Sequence, residues 1–328
     1  MNRKAPDYRL VVNGTNITPK VNGRLIDLTL SEDRGGEADT LSLTLSDHDG
    51  ALEIPPKGAS IEVAIGWRGE GLTEKGTYVV DDAQYTWPPN QITISARSAD
   101  MRGQLPARRT RSWHQETIGS IVQSIAGSRG LNPVIGAGLA ARQIDHMDQT
   151  DESDINFLTR LAEKHDAIAT VKAGRLLFLA KGEAKTASGA SLPVITITPG
   201  SGDSGTYQEK DREDYTGVTA FYNDTDTGEQ KSVTAGTNAR IKRLRGTYPT
   251  AAEALAEANA ELGRISRGEA TFGLTLAIGR PELSPEYRLK VSGIKPQIDA
   301  REWVVSSVSH SLSDGGFTTS ISAETLGS

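Results

Sequence analysis

Apolar and polar residues alternate one by one through several short segments, and this period of two constrains the fold more than any other feature of the chain. Leu41, Leu43 and Leu45 are separated by Ser and Thr, and the pattern recurs at 26–30, 61–67 and 92–94. Successive side chains of a strand point to opposite faces, so each segment has one apolar and one polar face. Turn clusters at 47–50, 55–58 and 87–90 separate the segments. Residues 8–100 therefore predict a half-buried antiparallel sheet, closed as a small barrel or sandwich.

Two Asn-Gly dipeptides, at 13–14 and 22–23, stand near the start of the chain. Both central residues of a type I′ turn have positive φ, which Asn and Gly tolerate better than other residues. The sequence therefore predicts a β-hairpin at each dipeptide.

The apolar period changes from two to 3.6 after residue 111. Ser112 and Gln115 have the spacing of a capping box, and apolar residues follow at 118, 121, 122 and 125 before Gly130. A second amphipathic helix is predicted from about Asp151 to His165, with acidic residues in its first turn. A hairpin about Gly174 follows. Residues 106–181 are therefore predicted to form an α+β insert module.

The last part of the chain returns to strand patterns. Residues 182–214 are rich in Gly, Ser, Thr and Asp and predict a linker with one strand at 194–198. Strands are predicted at 218–222 and 241–244, and a long helix capped by Thr250 and Glu253 at about 250–267. Further strands are predicted at 271–278, 287–291, 303–308 and 317–321. The predicted fold is mainly β, with two small β-barrel domains, 1–105 and 182–328, around the α+β insert.

Composition excludes several classes of site. The chain has no cysteine, so it has no disulfide and no Cys-ligated metal. A net charge of −6 argues against a protein that coats nucleic acid, and we expect no specific nucleic-acid binding. The longest apolar run is 176–180, so we expect neither membrane insertion nor a secretory signal.

Motifs that could carry chemistry are incomplete. Residues 202–205 (GDSG) are similar to the nucleophile loop of chymotrypsin-like proteases, but Thr206-Tyr207 follows in place of Gly-Pro and the five histidines are scattered. The acidic segment 145–154 and residues 223–228 both fail the calcium-loop template, and we interpret them as a helix cap and a hairpin turn. His310 is predicted to be packed or hydrogen-bonded. We therefore predict no catalytic, cofactor or metal residue, and no enzyme.

Two clusters of arginine stand out against the acidic average. One contains Arg108, Arg109 and Arg111, and the other contains Arg240, Arg243 and Arg245. They are either solvated faces or ion pairs at an interface, because the planar guanidinium suits bidentate contacts between proteins. We take these six residues as the candidate interface residues.

Several motifs, in order along most of the chain, resemble the phage late control D family of baseplate hub proteins. They include 36–43 (GEADTLSL), 52–58 (LEIPPKG), 117–122 (TIGSIV), 248–251 (YPTA) and 316–319 (GFTT). The most specific is 150–162 (TDESDINFLTRLA).

The resemblance implies a structural subunit of the baseplate of a contractile phage tail or tailocin, assembled in the cytoplasm of the bacterial host. It implies a homotrimer whose two barrels per chain form a pseudo-sixfold ring between the sixfold tail tube and the threefold central spike. Other baseplate proteins and the tape-measure protein are further candidate partners.

Two other functions stay open. One is a tail-associated peptidoglycan hydrolase or protease, for which Glu209 with Asp211, or Glu213 with Asp214, are nominated. Carboxylates so close in sequence make a poor acid–base pair, because such pairs usually face each other across a cleft. The other is a glycan-binding module built on the helices of the insert.

Overall fold

A computed structural model describes residues 4–35, 38–99, 107–172, 174–182, 192, 194–209, 215–224, 227–267 and 270–326. The strands are β1 (Pro6–Val12), β2 (Thr15–Asn16), β3 (Leu25–Asp33), β4 (Thr40–Ser46), β5 (Ser60–Trp67), β6 (Gly71–Thr86), β7 (Gln91–Ser98), β8 (Arg108–Thr117), β9 (Asn132–Ile135), β10 (Gln143–Ser153), β11 (Ala167–Lys172), β12 (Arg175–Ala180), β13 (Val194–Ile197), β14 (Ser204–Glu209), β15 (Gly217–Asn223), β16 (Gln230–Gly236), β17 (Ile241–Tyr248), β18 (Ala270–Leu276), β19 (Arg288–Val291), β20 (Glu302–Ser313) and β21 (Gly316–Thr325). The helices are α1 (Thr18–Val21), α2 (Ile118–Ser128), α3 (Ala137–Ala140), α4 (Asp154–Lys164), α5 (Ala251–Arg267) and α6 (Pro296–Asp299). The predicted fold class, mainly β with an α+β insert, is confirmed.

One thirteen-stranded sheet runs through both β parts of the chain. Its order is β14-β18-β21-β20-β3-β4-β7-β6-β5-β1-β2, and β19 pairs with both β20 and β13. The two parts meet where β20 pairs with β3 in antiparallel fashion. We call β1–β7 the first β unit, and β13, β14 and β18–β21 the second β unit. Whether each unit closes into a barrel stays a prediction.

The cores of the two β units lie on the same face of this sheet. Along β20, Val308 packs in the core of the second unit and Leu312 in that of the first. Phe317 on β21 also belongs to the first core and lies 5.2 Å from Trp67, ring centre to ring centre. The opposite face of the sheet is therefore the polar face in both units.

The insert module has its own core, in which α2 and α4 pack with β8–β12. Two predicted details of its helices are wrong. Ser112 and Gln115 lie on β8, and the capping box of α2 is formed by Thr117 and Ser120. Helix α4 begins at Asp154 after the N-cap Ser153, so the preceding acidic residues lie on β10 and not in its first turn.

A second α+β module interrupts the second β unit. Strands β16, β15 and β17 form a separate sheet that packs on α5 around Val218, Ala220 and Ala258. Thr250 Oγ1 accepts a hydrogen bond from Glu253 N at 3.2 Å, as the predicted cap requires. We call β15–β17 with α5 the α5 module, which has its own core.

Two turn predictions had different outcomes. The hairpin at 13–14 is present, since Val12 faces Thr15 across the turn. The prediction of a hairpin at 22–23 is wrong, because α1 precedes that dipeptide and β3 pairs with β4 and β20 instead. The predicted linker 182–214 contains a second strand, β14, which pairs with β18.

Gly263 lies inside α5, where glycine normally weakens a helix by about 1 kcal/mol relative to alanine. A Cβ atom there would lie 2.7 Å from Asp166 Oδ2, and Asp166 is ion-paired with Arg267. We expect Gly263→Ala to destabilise the protein by about 1 kcal/mol, because the displaced carboxylate loses its partner. Gly127→Ala in α2 has open space around its new methyl group and should stabilise instead. Urea unfolding measures whether each substitution raises or lowers the free energy of unfolding. A Gly263→Ala variant that is more stable than the wild type would contradict this explanation.

Candidate interface sites

The first arginine cluster surrounds a buried carboxylate. Asp154 is fully buried, with Arg111 Nη2 at 2.6 Å and Arg129 Nη2 at 2.5 Å. Arg109 lies further away, at 3.9 Å, and Gln149 Nε2 donates a hydrogen bond to Asp154 Oδ1 at 3.0 Å. The cluster therefore joins β8, β10, α2 and α4 inside the insert module.

The remaining side chains of the first cluster are also engaged within the chain. Arg111 lies over the ring of Trp113 at 4.5 Å, and burial lowers its pKa. Arg108 is exposed and pairs with Asp151 at 2.9 Å. Arg129, which the sequence analysis did not single out, is the most buried of these cations, and its role follows only from the packing of α2 against α4.

The second arginine cluster faces outward. On β17, Lys242 points toward α5 and pairs with Glu261 at 2.5 Å. Because side chains alternate along a strand, Arg243 and Arg245 lie on the other face, where both are exposed. Arg240 is also exposed, in the turn before β17. Arg243 and Arg245 are therefore open to solvent on the outer face of β17.

A network of ion pairs joins the four units, and sequence analysis did not anticipate it. Arg34, which follows β3, lies 2.5 Å from Glu286 and also pairs with Glu324 of β21. At the end of α5, Arg267 pairs with Asp166 of the insert and lies 3.7 Å from Glu324. Arg34 and Arg267 are only 9% exposed. Removing one partner of such a buried pair strongly destabilises a protein, so the network fixes the positions of the units relative to one another.

A second buried polar group lies where the two β units meet. Lys75 Nζ lies 3.2 Å from Glu32 Oε2 and donates to the carbonyl of Leu283 at 3.0 Å. Burial lowers the pKa of Lys75. His310 is fully buried and lies within hydrogen-bond distance of Thr319 Oγ1 and of the same Leu283 carbonyl. This agrees with the prediction that His310 is a packed, hydrogen-bonded histidine.

The burial of His310 predicts a specific dependence of stability on pH. Burial and the nearby Lys75 charge lower its pKa from 6.5 to about 3. Between these two values the unfolded chain binds a proton that the folded chain does not, so stability falls as the pH drops through this window. Below pH 6.5 the free energy of unfolding of the wild type should fall more steeply with decreasing pH than that of His310→Gln. We expect the difference to reach up to about 1 kcal/mol per pH unit. Urea unfolding at pH 7 and pH 5 measures the difference, and equal slopes would contradict the buried neutral histidine.

The motifs considered for catalysis have structural roles. Asp203 accepts hydrogen bonds from the backbone N–H groups of Gly200 and Ala277, at 2.8 and 2.7 Å, and Ser204 begins β14. The GDSG segment thus leads into a paired strand. Glu209 pairs with Arg301 at 2.7 Å. Asp211, Glu213 and Asp214 lie outside the described residues.

The acidic segment of β10 is also accounted for by contacts within the chain. Asp148 accepts a hydrogen bond from Ser112 at 2.5 Å, and Glu152 pairs with Arg160 at 2.7 Å. In the turn after β15, Asp224 accepts from Thr227 N at 3.1 Å, as expected of a hairpin. Within the residues that the structure describes, no group of three ligand-type side chains is arranged to hold a metal ion.

Acidic and basic groups do meet in a cleft between the insert and α5. It is lined by His146, Lys164, His165, Glu253 and Glu257. Burial raises the pKa of both glutamates and lowers that of His165 to about 4. The cavity has a volume of only about 40 Å³, whereas ligand pockets span roughly 300–1,000 Å³. The cleft has room for a water molecule or two and not for a substrate.

In the described part of the chain, no helix is long and apolar enough to cross a membrane.

Solved structures of phage tail proteins share this fold. The 43 kDa tail protein of prophage MuSo2 from Shewanella oneidensis aligns with a TM-score of 0.69 at 16% identity, over 97% of this chain and 98% of that one. The Escherichia coli c3393 protein, described as a type VI secretion component similar to the T4 tail proteins gp27 and gp5, aligns with a TM-score of 0.57 at 12% identity. That alignment covers 92% of this chain and 73% of the other. At these sequence identities the similarity shows a shared fold only.

Sequence comparison is more specific. The probable baseplate hub protein of Escherichia phage 186 is 38% identical over 98% of this chain and 93% of its own length. The corresponding protein of Escherichia phage P2 is also 38% identical, over 97% of this chain and 93% of its own length. The family model for the phage tail baseplate hub (GPD) matches residues 39–316. The chain therefore belongs to the phage tail baseplate hub family.

Proposed function

We propose that three copies of this chain form a ring that joins the sixfold tail tube to the threefold central spike. The observation that carries the proposal is the presence of two β units, each with its own core, in one continuous sheet. Three chains supply six such units, which is the number a sixfold tube needs. The opposite side of the same ring keeps the threefold symmetry of the spike.

The edges of the sheet support a closed assembly. Strands β14 and β2 lie at the two ends of its order. Edge strands carry backbone groups that can pair with another chain, and a closed ring covers such edges. On this proposal the protein works by matching symmetries, with no bond made or broken. A muralytic assay on the purified protein tests this: clearing of cell wall that is lost on Glu209→Gln with Asp211→Asn, or on Glu213→Gln with Asp214→Asn, would show an enzyme instead.

The oligomeric state is tested by native mass measurement, first on the protein alone and then on the protein co-expressed with its spike. We expect three copies of the chain in the complex with the spike. A chain that stays monomeric and binds neither the spike nor the tube protein would contradict the proposal.

We also propose that Arg243 and Arg245, with Arg240, form ion pairs across an interface with a neighbouring copy or the tube. Arg108, Arg109 and Arg111 belong to the same prediction, but we expect them to contribute less to the interface, because they already contact acidic residues within the insert.

Exposed ion pairs contribute roughly 0.2–1 kcal/mol each, so Arg243→Ser with Arg245→Ser should weaken assembly by about two- to thirtyfold. Arg175→Ser serves as the control, because Arg175 lies on β12 away from this cluster. Binding measured at low and high salt should differ less for the double variant than for the wild type, and an unchanged affinity would argue against this surface.

A further inference from the structure

Two histidines lie side by side on the surface of the insert module, where β8 pairs with β10. His114 and His146 are directly opposite each other in the register of these strands. Their rings stack with centres 4.5 Å apart, and the two Nδ1 atoms are 2.9 Å apart. Both side chains are exposed. The two residues are 32 positions apart in the sequence, so only the pairing of the strands brings them together.

The core of the insert holds the two strands in place beneath this pair. On each strand the residue next to the histidine faces inward: Trp113 and Met147 are opposite each other, and both are buried in that core. The Trp113 ring also stacks with that of Phe157 on α4, with centres 6.0 Å apart. Side chains on anchored strands keep their separation more precisely than side chains on a loop. The two imidazoles are therefore held close to each other before any ligand arrives.

A carboxylate fixes the state of one of the two rings. His146 Nε2 lies 3.2 Å from Asp148 Oδ2, and Ser112 Oγ donates a hydrogen bond to Asp148 Oδ1 at 2.5 Å. The hydrogen bond from Ser112 lowers the pKa of Asp148, so this carboxylate is ionised. It accepts the Nε2–H of His146, and the neutral ring then carries its lone pair on Nδ1. Carboxylates commonly orient the histidine ligands of metal ions in this way.

The contact between the two Nδ1 atoms suits either a proton or a metal ion. Because His146 Nδ1 carries a lone pair, the 2.9 Å contact is a hydrogen bond only when His114 Nδ1 carries a proton. Two histidine ligands of one metal ion have a similar separation. With metal–nitrogen bonds of about 2.0–2.1 Å, the nitrogens are about 2.9 Å apart at a right angle and about 3.3 Å apart at the tetrahedral angle. A metal ion can therefore take the place of the proton with a small movement of the rings.

We propose that His114 and His146 bind one divalent transition-metal ion, such as zinc, nickel or copper, through their Nδ1 atoms. Imidazole nitrogen is a preferred ligand of these ions. On binding, the proton of neutral His114 moves from Nδ1 to Nε2, so that both Nδ1 lone pairs face the ion and no proton is released. Asp148 is a positioning residue, because it holds His146 in the required tautomer. Water fills the other positions of the ion, since the pair is exposed.

The charges around the pair favour a cation. Asp148 interacts electrostatically with both histidines, and Glu253 of α5 interacts with His146 and with Asp145. Lys164 opposes these carboxylates from the side of the cleft. Among the residues that the structure describes, no third histidine or carboxylate completes the ligand set. Two protein ligands predict a micromolar affinity, weaker than that of a structural zinc site with four.

Zinc binding to the full-length protein, purified without a histidine tag, tests this site. The protein is freed of metal with EDTA, the EDTA is removed, and zinc chloride is titrated at pH 7.5 in a calorimeter. We expect one ion per chain. His114→Gln and His146→Gln should each weaken binding by more than about tenfold, and Asp148→Asn by about tenfold. His48→Gln is the matched control, because His48 is also exposed but lies in the turn after β4, and it should leave the affinity unchanged.

Nitrogen NMR of the wild-type imidazoles identifies the atoms that bind, and it does not depend on whether a variant folds. Zinc should shift the Nδ1 signals of His114 and His146 and leave those of His48 in place. The site lies within one chain, so the result is independent of the proposed ring. No binding up to about 1 mM zinc, an unchanged affinity in a folded His114→Gln or His146→Gln variant, or coordination through Nε2 would each overturn the inference.

Discussion

Replacing Asp154 by alanine is expected to lower the free energy of unfolding by about 3–5 kcal/mol. Its carboxylate is fully buried and contacts both Arg111 and Arg129, and the Arg129 side chain is only 4% exposed. The variant leaves two cations without a counter-charge in a place that water reaches poorly, and their desolvation is then uncompensated. Asp154→Asn keeps the shape and loses the charge, so it should fall between alanine and the wild type.

The matched control for this variant is Asp151→Ala in the same segment. Asp151 is also paired with an arginine, Arg108, but both side chains are about 70% exposed. An exposed pair contributes roughly 0–1 kcal/mol. Urea unfolding of the three variants compares the two sites. If Asp154→Ala cost no more than Asp151→Ala, the buried cluster would not hold the insert module together.

Replacing Trp303 by alanine is expected to destabilise the second β unit by about 3–5 kcal/mol. Trp303 is fully buried, its ring lies 5.3 Å from Phe272, and its Nε1 donates to the carbonyl of Ile298 at 3.2 Å. The smaller side chain leaves a cavity in the core. Trp303→Phe fills part of that cavity and should cost less.

Trp87→Ala is the matched control, because Trp87 lies on the surface. It stacks on Tyr85 at the tip of the β6–β7 hairpin and is 72% exposed. Trp87→Ala should change stability by no more than about 1 kcal/mol. The midpoints of urea unfolding give both values, and a similar loss in the two variants would mean that Trp303 is not a core residue.

Local patterns were sufficient to predict the fold class and most strands. Alternation at 41–45 correctly identifies β4, and Thr250 with Glu253 correctly caps α5. The spacing of Ser112 and Gln115 was misleading, because a hydroxyl residue three positions before a glutamine occurs equally in a strand. There Ser112 donates to Asp148 across the β8–β10 pair. Strand β14 was missed because its residues have no apolar alternation, and its pairing with β18 holds it in place.

The candidate interface could be predicted only in part. Periodicity shows which face of a strand is polar, but it does not show which strand lies beside it. The pairing of Ser31 with Ser309 joins residues 278 positions apart, and nothing local to either residue indicates it. Similarly, the sequence groups Arg108, Arg109 and Arg111 as one candidate interface cluster. In the structure Arg109 and Arg111 lie close to the buried carboxylate of Asp154 in the insert. Only the packed structure separates them from the exposed Arg243 and Arg245.

The most direct test of the proposed adaptor is averaged electron microscopy of the complex with the spike, viewed along its axis. If the two β units of each chain occupy equivalent places, three chains should give a ring of six lobes around an open channel. A ring of three lobes, or particles with no axial symmetry, would contradict the account.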